Sequence, residues 1–106
     1  MPISQEHTVA SARRNLRWSV ILCASAGGRL GINEDIVLDT INRSGLPVTR
    51  SEMRDAAHYV ESHGYIGIDE GDNQWVFKIT SKGTDLVDNE IACPKSIARP
   101  PKYWGD

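Results

Sequence analysis

The hydrophobic positions in the first part of the chain recur at helical spacing. Within residues 8–26, Leu16, Val20 and Cys23 repeat at i, i+4 and i+7, which places them on one face of a helix. A Gly-Gly pair follows immediately, and glycine is a common residue just after a helix. We therefore predict a first helix over residues 8–26, with its apolar stripe facing the core.

A second helix is predicted to run from about Asn33 to Arg43. Asn33 can cap its first turn, and Glu34 and Asp35 suit the positive end of the helix dipole. The segment SGLP that follows contains glycine and proline, so it should end the helix in a turn. Its expected buried residues are Val37, Leu38 and Ile41.

A third helix, over residues 49–63, has the strongest local signal. Thr49 and Glu52 have the spacing of a capping box, in which the threonine hydroxyl accepts a hydrogen bond from a backbone N–H and the glutamate reaches back to the cap. An inward stripe repeats at i, i+4 and i+7, and it consists of Met53, Ala57 and Val60. We expect this stripe to rest on the first two helices and to leave the arginines of the helix free.

After the third helix the pattern changes from helical to extended. Residues 65–69 and 74–80 are rich in aromatic and β-branched side chains, and residues 70–73 between them are turn formers. A last short helix is predicted over residues 81–89. Three helices followed by a hairpin predict a mostly α, α+β winged helix-turn-helix. An unrelated α+β bundle with a packed hairpin is the alternative.

We divide the chain into a winged-helix domain, residues 1–89, and a C-terminal tail, residues 90–106. The tail contains three prolines and should be irregular or extended, with basic and aromatic side chains interleaved near its end. Tyr103 and Trp104 either fold back onto the core of the same domain or clamp a partner. A homodimer formed through the first and last helices is one expected assembly, and contact with a different protein is a second.

Composition changes this picture in one respect. The formal net charge is −2, so any attraction for nucleic acid must come from a local patch.

Cys23 and Cys93 form no CxxC pair or Cys/His ligand set, which argues against zinc, while one long-range disulfide between them stays open. No nucleophile motif or glycine-rich phosphate loop accompanies the hydroxyl and imidazole side chains. We therefore expect no enzyme, no cofactor and no metal site.

Residues 11–28 imitate a secretory signal, with arginines, a short apolar run and Ala-Ser-Ala. Arg17 interrupts the approach to the apolar run, and Ser19 and Ser25 make that run more polar, so we expect a cytoplasmic protein rather than an exported one. No stretch approaches the ~18 apolar residues that a membrane span needs.

Four short motifs carry a resemblance to a known group. They are VTR at 48–50, YVESHGYI at 59–66, KITSKG at 78–83 and IARPP at 97–101. Together with the flanking sequence from residue 14 to 104, the chain resembles small winged-helix proteins of Mu-like phages and prophages, often labelled ArsR-like. The resemblance implies a winged-helix fold in a phage context. The metal-sensing Cys/His sets of true ArsR repressors are absent from this sequence.

The third helix is the candidate DNA-reading element, because this fold commonly places that helix in the major groove. Arginine and serine can contact phosphates or base edges, and flanking cations can add phosphate contacts. On the third helix the candidates are Arg50, Ser51, Arg54 and His58. Outside it the candidates for phosphate contact are Arg13, Arg14, Arg17 and Lys78. The function predicted is a transcriptional regulator or DNA-handling factor that binds double-stranded DNA.

Acidic residues weaken this prediction. Glu52, Asp55 and Glu61 are interleaved with the two arginines of the third helix, and the hairpin tip carries Asp69, Glu70 and Asp72. Carboxylates near a phosphate repel it. The alternative function is therefore a non-enzymatic adaptor of a phage that contacts proteins through the acidic hairpin and the aromatic tail.

Overall fold

The computed structural model describes the backbone of residues 5–101 and the side chains of residues 9–101. Four helices and three strands follow one another along this part of the chain, so the predicted α+β class is confirmed. The elements are α1 (Gln5–Gly27), a short 3₁₀ turn (Gly28–Leu30), β1 (Ile32–Asn33), α2 (Glu34–Arg43), α3 (Arg50–Ser62), β2 (Ile66–Glu70), β3 (Trp75–Ile79) and α4 (Ser81–Val87).

The apolar stripes predicted for the first three helices meet in one core. Val20, Val37, Met53 and Val60 have no exposed surface, and Phe77 of β3 joins them. Cys23 and Leu38 are only partly buried, at the edge of this cluster. Burial of such aliphatic side chains is worth about 1.5–3 kcal/mol each, which makes this core the main source of the fold's stability.

Both predicted helix starts are confirmed. The side chain of Asn33 caps α2 by accepting a hydrogen bond of 2.7 Å from the backbone N–H of Asp35. At α3 the hydroxyl of Thr49 accepts from the backbone N–H of Glu52 at 3.1 Å, and the Glu52 carboxylate accepts from the Thr49 backbone N–H at 2.9 Å. Both hydrogen bonds of the capping box are therefore present, and α3 starts where the sequence predicts.

The predicted hairpin is confirmed as β2 and β3, which pair antiparallel with Ile68 opposite Phe77. A third strand, β1, was not predicted, and it pairs antiparallel with the other edge of β3 through Ile32 opposite Phe77. Gly31 makes this approach possible: its φ is +80°, and a Cβ there would lie 2.9 Å from the carbonyl oxygen of Phe77. We call the β2–β3 hairpin the wing.

The part of the tail that is described, residues 90–101, lies against α1, α3 and α4. Ile97 is buried in the core, and the backbone N–H of Ala98 donates to the carbonyl oxygen of Arg14 at 3.1 Å. Ser96 is held twice, by the Arg17 guanidinium on its carbonyl and by the Tyr59 hydroxyl on its side chain. Tyr103 and Trp104 lie outside the described residues, so the fate of those two aromatic rings stays a prediction.

Cys23 and Cys93 are both free thiols, and burial raises the pKa of Cys23. Between residues 5 and 101, no helix combines the length and the apolar character needed to cross a membrane.

Candidate nucleic-acid interface

The carboxylate of Glu34, at the first position of α2, is fully buried. Arg54 binds it with two parallel hydrogen bonds, from Nε to Oε1 at 2.7 Å and from Nη2 to Oε2 at 2.6 Å. The backbone N–H of Trp75 donates to the same Oε2 at 3.0 Å. The hydrogen bonds from Arg54 hold the pKa of Glu34 below its usual range, with the Trp75 N–H adding to the effect. Glu34 is thus a buried anion that joins α2, α3 and the loop end of β3.

Arg50 completes this ion cluster. Its Nη2 lies 2.5 Å from Asp35 Oδ1, and its Nη1 lies 3.3 Å from Glu34 Oε2. The hydrogen bond to Asp35 raises the pKa of Arg50, and the hydrogen bonds to Glu34 raise the pKa of Arg54. The prediction that the arginines of α3 are free is therefore wrong: both guanidinium groups are paired with the start of α2.

Trp75, the first residue of β3, is the apolar contact between α3 and the wing. The Arg54 guanidinium lies 4.2 Å from the centre of the Trp75 ring, and the His58 ring meets Trp75 edge-on at 5.0 Å. His58 also lies between two carboxylates, with Nδ1 3.5 Å from Glu61 and Nε2 3.8 Å from Glu70. The face of α3 that carries Arg50, Arg54 and His58 is therefore turned toward α2 and the wing, and its arginines serve the fold.

The surface of α3 that points away from the core carries a set of side chains that shares only His58 with the face described above. One residue per turn is exposed along this line, and we call the set the outward stripe: Ser51, Asp55, His58 and Ser62. All four can form hydrogen bonds. Ser62 is already used, because its hydroxyl donates to the Tyr59 carbonyl oxygen. Within residues 9–101, no hydrogen bond or ion pair engages the side chains of Ser51 and Asp55.

The predicted flanking cations differ in their exposure and in whether they already contact other side chains. Arg13 and Arg14 on α1 and Lys78 on β3 are exposed and form no ion pair with a described side chain. Arg17 is half-buried, and its guanidinium lies 3.7 Å from the centre of the Tyr59 ring while it holds Ser96. Arg17 therefore fixes the tail to α1 and is poorly placed for phosphate contact.

The tip of the wing is acidic and exposed, as the sequence indicates, with Asp69, Glu70 and Asp72 in solvent. The same end of the wing is held to the start of α2, because Gln74, in the loop just before β3, hydrogen-bonds the side chains of Asn33 and Asp35. The α3 segment itself carries two arginines against three carboxylates. Since both arginines are matched by Glu34 and Asp35, the surface around the outward stripe is negative.

The role of Glu34 in this ion cluster was not predicted from the sequence, which indicated only that its carboxylate suits the positive end of the α2 dipole. A signal was present. Two arginines four residues apart on α3 match the adjacent acids at the start of α2, and an aromatic residue follows the hairpin turn. Such a pattern is compatible with a shared ion cluster, but the separation of 20 residues between Glu34 and Arg54 hides it from local rules.

Comparison with known proteins identifies the fold. The structure is similar to a solved transcriptional regulator of the MarR family from Rhodococcus sp. RHA1, with a TM-score of 0.61 and 17% sequence identity. The similarity covers 79% of this chain and 63% of the Rhodococcus chain, so this chain spans less than two thirds of that protein's length. No protein-family model and no curated protein matches the sequence. The chain has a winged-helix fold, as predicted.

Proposed function

We propose that this protein is a DNA-binding regulator or DNA-handling factor, that it places α3 in the major groove, and that it acts in the bacterial cytoplasm in a phage or prophage context. The outward stripe carries the proposal. It presents polar side chains on the solvent-facing side of α3, the helix that proteins of this fold commonly use to contact bases. The phage context rests on the sequence motifs alone.

The charge distribution predicts how such binding works. Arg13, Arg14 and Lys78 are exposed cations that can contact phosphates, and Arg50, which is 43% exposed, can share its guanidinium with a phosphate and Asp35. Each phosphate neutralised by a cation contributes about −0.9 to the slope of log K against log salt. With so few cations beside an acidic wing, we expect weak non-specific binding and a shallow salt slope. Useful affinity then requires a specific sequence.

A homodimer would give the protein two recognition helices. Winged-helix and helix-turn-helix dimers bind half-sites about one turn of DNA apart, which roughly doubles the contact area. We propose such a dimer here, through α1 and the C-terminal region, on the grounds of fold. Sedimentation of the full-length protein over a range of concentrations tests it, and a monomer at all concentrations contradicts it.

DNA binding is tested by fluorescence anisotropy with a labelled duplex of mixed sequence, at low and at physiological salt. The full-length protein should bind at low salt, and Lys78→Gln should reduce the salt slope by about 1. Lys95→Gln removes the same charge from the tail and is the matched control, expected to leave the slope unchanged. No binding at low salt contradicts the proposal, and an equal slope change in both variants refutes the role of Lys78.

A specific observation favours a second function. The surface around the outward stripe and the tip of the wing are both negative. An adaptor that binds a basic protein partner uses such a surface directly, whereas a DNA-binding protein must compensate for it. The two functions are separated by a pulldown from a phage host, with and without nuclease. A partner that stays bound after nuclease treatment, together with no duplex binding, supports the adaptor.

A further inference from the structure

The ion cluster leaves few side chains able to read bases. Arg54 is bound to buried Glu34 through two hydrogen bonds, and Arg50 is bound to Asp35. Bidentate reading of guanine by arginine needs a guanidinium that is free at its edge. Breaking the Arg54 pair would leave a fully buried carboxylate with only the more distant Arg50 guanidinium as a charge partner. The arginines of α3 are therefore poor candidates for base recognition.

Asp55 is the remaining strong hydrogen-bonding group on the outward stripe. It lies in the second turn of α3, one turn after Ser51, and residues near the start of a recognition helix contact base edges. Its carboxylate is exposed and has no partner among the described side chains. Resting on the DNA-binding function proposed above, we infer that Asp55 determines sequence specificity by accepting a hydrogen bond from the N4 amino group of a cytosine.

The choice of cytosine follows from the major-groove edges. An ionised carboxylate has acceptors only, so it is repelled by the O6 and N7 of guanine and by the O4 of thymine. Adenine presents one donor, N6, but places the N7 acceptor beside it. Cytosine presents the N4 donor with an acceptor on one side only, the O6 of its paired guanine, whereas adenine N6 lies between its own N7 and the O4 of the paired thymine. A fixed carboxylate in the groove therefore discriminates against guanine and thymine, prefers cytosine, and tolerates adenine less well.

The same charge explains why specificity matters more than affinity here. Asp55 repels phosphates on every duplex, so it lowers binding to all sequences and recovers the loss only where a cytosine amino group meets it. Removing the charge should raise affinity for non-specific DNA and abolish the preference at one position. The quantity to measure is therefore the base preference at each position rather than the affinity for one duplex.

The experiment is selection from a randomised duplex pool at low salt, with full-length wild type, Asp55→Asn, Asp55→Ala and Asp85→Asn. Asp85 is exposed on α4, so its variant has the same net charge as Asp55→Asn and an unchanged α3. Wild type and Asp85→Asn should enrich cytosine at one position of each half-site. Asparagine pairs with adenine N6 and N7. In Asp55→Asn, adenine should therefore be enriched over cytosine at that position by at least about fivefold, which corresponds to about 1 kcal/mol.

Asp55→Ala should lose the preference at that position and keep the rest of the site. If Asp55→Asn and Asp55→Ala select the wild-type sequence, the role of Asp55 is refuted while DNA binding stands. If wild type selects no sequence although it binds duplexes, specific reading by the stripe is refuted. If wild type binds no duplex at low salt, the proposed function fails together with this inference.

Discussion

The buried pair of Glu34 and Arg54 makes a prediction about stability that is independent of function. Arg54→Met keeps much of the apolar volume of the side chain over Trp75 but removes the guanidinium from the carboxylate. Glu34 then keeps only the backbone N–H of Trp75 and the more distant Arg50, at 3.3 Å. The variant tests whether the charge pair, rather than the packing of Arg54, joins α2 to α3 and the wing.

Removal of one partner from a buried ion pair costs about 3–5 kcal/mol, since the other charge stays without compensation. We expect about 3 kcal/mol here, because Arg50 and the Trp75 N–H remain. Glu34→Gln should cost less, about 1 kcal/mol, because Arg54 is 29% exposed on its side chain and can turn to water. Glu34→Met with Arg54→Met removes both charges and should recover most of the loss.

Urea unfolding followed by far-UV circular dichroism measures the free energy of unfolding for all four proteins. A loss of about 3 kcal/mol is a large part of the roughly 5–15 kcal/mol that stabilises a domain of this size, so the midpoint should fall clearly. The reasoning is refuted if Arg54→Met costs less than about 1 kcal/mol, or if Glu34→Gln costs more than Arg54→Met. A double variant that is no more stable than Arg54→Met would show that the loss does not come from the uncompensated Glu34 charge.

The same pair predicts a dependence on pH. Arg54 holds the pKa of Glu34 below its usual value of about 4.5, so the folded state binds the Glu34 proton less tightly than the unfolded chain. This contribution to stability is present above pH 4.5 and is lost as the pH falls through the lower folded pKa. In Arg54→Met the unpaired buried carboxylate should take up a proton more readily. The deficit of the variant should therefore shrink between neutral and acidic pH, and a constant deficit contradicts this account.

Three further variants test the fold. Thr49→Ala removes the cap of α3 and should cost about 1 kcal/mol in urea unfolding, and no measurable loss would show that the cap is dispensable. Gly83→Ala places a Cβ 2.0 Å from the carbonyl oxygen of Tyr65 and should cost more than about 3 kcal/mol. Gly67→Ala is the control, because a Cβ there meets no heavy atom within 4 Å. Equal stability of the two variants would refute the close packing of Gly83 against Tyr65. Ile97→Ala should cost about 2–4 kcal/mol if the tail belongs to the core, and unchanged thermal unfolding would contradict that.

Local signals in the sequence account for most of the fold. The capping box at Thr49 and the cap at Asn33 act within three residues, and the apolar spacing of the helices acts within two turns, so both can be derived from the sequence alone. The wing has the alternation and turn residues of a hairpin. In contrast, β1 spans only Ile32–Asn33, which is too short for any periodic pattern to show.

The orientation of the α3 side chains could not be derived in the same way. Helical spacing puts Arg50, Arg54 and His58 near one line, but spacing does not say whether that line faces solvent or a neighbouring element. The outcome depends on Glu34 and Trp75, which are distant in sequence and meet α3 only in the folded chain. Because a buried carboxylate needs a partner, the arginines are drawn to one flank of the helix. The outward stripe therefore occupies the solvent-facing surface of α3.

The acidic wing has a related explanation. The loop end of the wing is bound to α2 through Gln74, while Asp69, Glu70 and Asp72 at this same end remain exposed. Charged residues on an exposed hairpin discourage edge-to-edge pairing with other chains. Glu70 also lies 3.8 Å from His58 of the outward stripe, so the acidic tip is next to that stripe, and Lys78 is the cation of the wing.

The most direct test of the account is an NMR titration of the ¹⁵N-labelled full-length protein with duplex DNA at low salt. The account predicts that the largest amide shifts cluster at Ser51, Asp55 and His58, with a second group near Lys78, and that the amide of Arg54 moves little. No shifts on addition of duplex, or shifts confined to α1 and the tail, would contradict the claim that the outward stripe of α3 is the binding surface.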